Sequence, residues 1–83
     1  MPTISVTIPI AGTWPSADDL AARNGIMAAL DAIGFGSSIG CGGGDGAMDF
    51  SYRVADPTTA TEIVRRIVRE HLPAEEPQIR IME

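Results

Sequence analysis

Residues 42–57 read GGGDGAMDFSYRVADP, and a turn, a strand and a helix start follow one another within them. The run Gly42-Gly43-Gly44-Asp45-Gly46 reads as the turn, because glycine reaches the positive-φ conformations that a chain reversal needs. Met48, Phe50, Tyr52 and Val54 then alternate with Asp49, Ser51 and Arg53. A period of two puts the apolar set on one face of a half-buried strand. Asp56-Pro57 starts a helix, with Asp56 as N-cap and Pro57 at the first helical position, where a missing N–H is harmless.

The pattern extends outward in both directions. Ala60, Ile63, Val64, Ile67, Val68 and Leu72 form a helical stripe that Leu72-Pro73 closes. Ile79 and Ile81 alternate with Gln78, Arg80 and Met82 in a last strand. On the N-terminal side, residues 35–42 read as a glycine-rich strand with Phe35, Ser37, Ile39 and Cys41 on one face. It pairs with 47–54 as a hairpin. Before it, Ser16 is an N-cap with Asp19 in an approximate capping box. Leu20, Ile26, Met27, Leu30 and Ile33 make the apolar stripe, and Gly34 ends the helix with Phe35 folded back on it. Arg23 falls within that stripe; its stem is expected along the core, with its head in solvent and paired to Asp19. Finally, Ile4, Val6, Ile8 and Ile10 alternate with Thr3, Ser5, Thr7 and Pro9 in a first strand, with pairing weakened at Pro9.

The order is strand, helix, strand, strand, helix, strand. Two right-handed crossovers interleave into an α+β, ferredoxin-like βαββαβ sandwich with both helices on one face of a four-stranded antiparallel sheet. The other face is open and carries Thr3, Ser5, Thr7, Asp49, Ser51, Arg53, Gln78, Arg80 and Met82.

Eighty-three residues make one domain with one core. The net charge is −5, and the cations are six Arg and no Lys. An acidic chain is a poor fit for direct nucleic-acid or membrane binding, which needs a basic surface. Cys41 and His71 each stand alone, so neither an internal disulfide nor a Cys/His zinc site can form. No leader or membrane span is legible, which makes the cytoplasm the expected location.

No catalytic set emerges. The glycine cluster lacks the Lys-Ser/Thr and the helix of a phosphate loop, so it reads as a flexible hairpin or as a partner-binding loop. Cys41 and His71 are expected to be structural. Asp45 and Asp49 read as an acidic rim across the hairpin rather than a metal site. Arg65, Arg66 and Arg69 form a helix face that Glu62 and Glu70 compensate. Trp14 either covers the start of the first helix near Leu20 or anchors an interface. Phe50 and Tyr52 superficially match the base-stacking strand of RNA-recognition domains, but the register turns them into the core.

Thr13-Trp14-Pro15-Ser16 lacks the cysteines of heavy-metal-binding domains. The first loop also lacks the arginine cradle of acylphosphatases, and the surroundings of Gly12 fit amino-acid-sensing domains poorly. Residues 42–49 with the Asp-Pro helix start resemble small bacterial proteins of unassigned function. The whole chain resembles, as a class, phage anti-CRISPR or toxin-immunity proteins, which are short, acidic and free of catalytic motifs. That resemblance implies a non-enzymatic, cofactor-free inhibitor that occludes a basic surface on a protein target, itself a nucleic-acid-binding protein or complex. The expected contact residues are Trp14, Gly43, Gly44, Asp45, Asp49 and Arg53. The alternative is a small-molecule sensor holding an anionic ligand at the glycine hairpin. A homodimer through the open sheet face fits either reading.

Overall fold

The computed structural model describes residues 2–82. Its elements are β1 (Thr3–Pro9), α1 (Ala17–Ala32), β2 (Ser37–Gly44), β3 (Ala47–Arg53), α2 (Pro57–His71) and β4 (Gln78–Met82). The strands form one antiparallel sheet in the order β2-β3-β1-β4. This is the ferredoxin-like α+β sandwich.

The alternation in β1 and β3 builds the core. Ile4, Val6 and Ile8 lie opposite Tyr52, Phe50 and Met48, and all six are buried. Ile26 and Leu30 of α1 and Ala60, Val64, Ile67 and Val68 of α2 close over them. Phe35 and Phe50 each meet Tyr52 edge to face, at centroid distances of 5.3 and 6.0 Å. Edge-to-face contact sets the positive rim of one ring against the negative face of the other.

Both helices are capped as their sequences imply. The Asp19 N–H donates to Ser16 Oγ at 3.1 Å, and the Ser16 N–H donates to the Asp19 carboxylate at 2.9 Å. At the other end, Gly34 takes φ +65°. Its N–H donates to the Asp31 carbonyl, and the Phe35 N–H donates to the Leu30 carbonyl, both at 3.1 Å. That double bond satisfies two orphan carbonyls and turns Phe35 back onto the core. At α2, the Asp56 carboxylate accepts from the Thr59 hydroxyl at 2.8 Å and from the Thr58 N–H at 3.1 Å. The Thr59 hydroxyl, then its N–H, hold the Asp56 carboxyl below the usual range.

Three expectations fail around β2. The strand runs two residues later than the pattern suggested, so Gly42, Gly43 and Gly44 pair with Asp49, Met48 and Ala47 instead of forming the turn. A bulge between Ser38 and Gly40 breaks the alternation. Ser38 and Cys41 therefore share the face of Tyr52 and Phe50, while Ser37 lies with Arg53 on the open face. Arg23 does not pair with Asp19, which is occupied by its cap. Its Nη1 instead donates to the Gly42 carbonyl at 2.9 Å, and its buried Nε finds no partner.

The hydroxyl of Tyr52, the only tyrosine, donates to Asp31 Oδ1 at 2.9 Å and lies 3.3 Å from the Met27 carbonyl. Burial, and then the Asp31 carboxylate, push its ionisation above the ordinary tyrosine range. A raised acid pKa adds stability below the unfolded value of about 10 and loses it as pH rises toward the folded one. Alkaline titration followed by phenolate absorbance should therefore show no Tyr52 ionisation in the folded chain near pH ~10, the unfolded value. Ionisation should coincide with the loss of far-ultraviolet helical signal. A smooth phenolate transition near that value, with the helices intact, would contradict this burial.

Candidate functional site

The turn between β2 and β3 is only two residues long. Asp45 at φ +54° and Gly46 at φ +82° bridge the paired residues Gly44 and Ala47. Two successive positive φ values describe the tight hairpin turn whose twist matches the flanking strands, and Asp-Gly is a favoured pair for it. The turn is tied to the loop that follows β1. The Gly46 N–H donates to the Thr13 carbonyl, and the Ile10 N–H donates to the Gly46 carbonyl, both at 3.0 Å.

Those bonds bring Trp14-Pro15 down onto the end of β2. A β-carbon built on Gly43 would stand 2.5 Å from Pro15 Cγ. One built on Gly44, at φ +143°, would stand 2.8 Å from Trp14 Cζ3. The glycines therefore form a seat: only bare backbone leaves room for both rings. The run is thus three paired strand residues and a tight turn rather than one long loop. The seat also places Trp14 on Gly44 rather than only beside Leu20. One side of the indole rests on the strand, yet Trp14 remains 71% exposed.

Of the six residues expected at a partner site, the fold brings together Trp14, Gly43, Gly44 and Asp45. Asp49 lies over Gly42, one rung along the same face from Gly44 and its indole, while Arg53 sits at the far end of β3. Asp49 pairs across with Gly42 and Thr7, so the two aspartates do not face each other across the hairpin. Asp18, in the exposed first turn of α1, follows Trp14 by four residues. Pattern reading missed the roles of Thr13 and Pro15. Their one sequence signal was Pro15, a rigid residue directly before a helix cap.

The remaining candidates lie elsewhere. Cys41 is exposed on β2 opposite Phe50. His71 ends α2, with Nδ1 3.0 Å from the Ile67 carbonyl and its ring against Gly25 of α1. Arg65 pairs with Glu76 at 2.9 Å, the only ion pair among the described residues, so Glu62 and Glu70 do not clamp Arg66. Phe50 and Tyr52 are buried and offer no ring face to a base. Among the described residues no acid/His/Cys group of three gathers as for a metal, and no helix is long and apolar enough to cross a membrane.

No family model, curated protein or solved structure matches this chain. Its own geometry is what the site offers to reason from: a rigidly seated indole beside an acidic two-residue turn.

Gly43→Ala and Gly44→Ala should each unseat this loop, with a stability loss of about 1–3 kcal/mol for overpacking. Gly44→Ala adds strain at a positive φ. The emission of Trp14, the only tryptophan, should shift in the folded state of both. Gly40→Ala is the control, since nothing lies within 4 Å of a β-carbon there. Equal behaviour of all three variants in denaturant melts and fluorescence would contradict the seat.

Proposed function

We propose that the chain is a non-enzymatic protein-binding module, an inhibitor that covers a basic surface of its target by steric occlusion. The observation that carries this reading is Trp14, held from below by Gly44 and exposed above. Tryptophan is enriched among the residues that dominate interface energies, because it removes a large rigid surface from water at small entropic cost. Here the loop is already pinned by the bonds of Thr13 and Ile10 to Gly46, so little freedom remains to lose on binding. An unsupported loop tryptophan would lack that advantage.

The charge supports a basic target. Asp45 directly follows Gly44, on which the indole rests, and Asp18 starts α1 four residues after Trp14, on a chain of net charge −5. Complementary charge speeds encounter and rejects like-charged partners more than it sets affinity. A nucleic-acid-binding protein has such a basic surface, and a small acidic wedge there would exclude its ligand. The chain's class resemblance to anti-CRISPR and toxin-immunity proteins accords with that mode of action. Arg53, at the far end of β3, is dropped from the contact set, and Asp49, one rung from Gly44 on the same face, stays in it.

Capture from lysate of the host or a near relative should recover one stoichiometric protein at low salt and release it as salt rises. With that partner purified, Trp14→Ala should weaken binding at least about tenfold, as expected for an interface anchor. Asp45→Asn keeps a residue that tolerates positive φ and removes the charge. It should slow association and flatten the salt dependence, read by surface plasmon resonance. A partner whose affinity ignores Trp14→Ala would rule out this surface.

A further inference from the structure

The open sheet face holds a second feature, separate from the Trp14 end. A groove of about 320 Å³ runs over β1 and β4, lined by Ser5, Thr7, Gln78, Ile79, Arg80 and Met82. Ser5 lies directly opposite Arg80, and Thr7 opposite Gln78. Side chains paired across a ladder stand roughly 5 Å apart, and successive rungs on one face roughly 7 Å apart. Two hydroxyls, an amide and a guanidinium therefore stand within reach of one oxyanion, in a groove with room for the rest of a small molecule.

Among the described residues the lining contains no carboxylate, which is unusual for so acidic a chain. Among the described residues Arg80 forms no ion pair, so none of their carboxylates occupies its five donors. The Ser51 hydroxyl lies 3.4 Å from Ser5 Oγ as a donor, which leaves the Ser5 proton free to point into the groove. Among the described residues the nearest acid by register is Asp49, opposite Thr7 on the far side of β1. Its carboxylate leans away over β2, with Oδ1 3.4 Å from a β-carbon built on Gly42. Met82 supplies an apolar wall at one end of the groove, suited to the carbon skeleton of a small organic anion.

We propose that this groove binds the oxyanion group, phosphate or carboxylate, of a small organic ligand, with Arg80 as the charged anchor and Ser5, Thr7 and Gln78 as neutral donors. A planar guanidinium recognises either group by two parallel hydrogen bonds. The site shares no residue with the Trp14 surface, so the two readings stand or fall separately.

The test is two-dimensional amide NMR of the full chain, titrated with inorganic phosphate and, separately, acetate, against chloride at equal ionic strength. Saturable shifts centred on residues 5, 7, 78 and 80 are expected. Tighter binding of phosphate than acetate assigns a phosphorylated ligand, and the reverse a carboxylic acid. Arg80→Gln should weaken binding about tenfold or more, the value of a charge-assisted bond. Arg53→Gln, on the same face two strands away, should not change it, and Trp14→Ala should leave it intact. Three outcomes would overturn the site: linear shifts matching chloride; equal losses from Arg80→Gln and Arg53→Gln, which would mean diffuse charge; or shifts that follow protein concentration, which would mean a second copy covering the face.

Discussion

The register between β1 and β3 is the constraint on which this molecule depends. Ile4, Val6 and Ile8 meet Tyr52, Phe50 and Met48 on the helix side, while Thr3, Ser5 and Thr7 meet Arg53, Ser51 and Asp49 on the other. A slip of one residue would turn one strand over against the other; for β1 it would send Ile4, Val6 and Ile8 into water and the three hydroxyls of Thr3, Ser5 and Thr7 under the helices. Two devices lock the register. The Asp45-Gly46 turn sets how β2 meets β3, and the bonds from Gly46 to Thr13 and Ile10 hold the end of β1 against that turn. The exposed indole and the polar groove are both products of this lock. One sits where the devices meet, and the other on the face that the register leaves polar.

Much of the fold was legible because its determinants are local. Ser16 with Asp19, Gly34 with Phe35, and Asp56 with Pro57 mark helix ends through bonds spanning at most a few residues. Strict alternation in residues 3–9 and 47–53 named the two central strands and sorted their faces correctly. The open-face residues all lie where that alternation put them. What failed was β2, for a definite reason. Glycine has no side chain to reveal a period, so three paired strand residues looked like a turn. The bulge at Ile39 then removed what alternation remained.

The candidate site was half legible. Trp14 and the glycines were each noticeable, but nothing in the pattern says that they touch, because the contact joins residues about thirty apart in the chain. Asp45 and Asp49 looked like partners only while the whole glycine run was taken for the turn. Once Gly42–Gly44 join β2, Asp49 moves two rungs into the strand, opposite Gly42 and away from the turn. Arg23 shows the same limit. A helix wheel offers Asp19 as its neighbour, whereas the tertiary structure gives it a backbone carbonyl on β2.

The pairing of β4 with β1 has a consequence for the order of events during synthesis. Thr3 lies across one rung from Met82, so one of the earliest strands made is completed by one of the last. Until Gln78–Met82 leaves the ribosome, β1 carries a bare edge beside a half-built core, and its isoleucines depend on the hairpin alone. Closure of so long a loop is slow relative to the local helix and hairpin steps. Nascent chains short of β4 are thus the species most exposed to misassociation, and a chaperone or a pause in translation would act there.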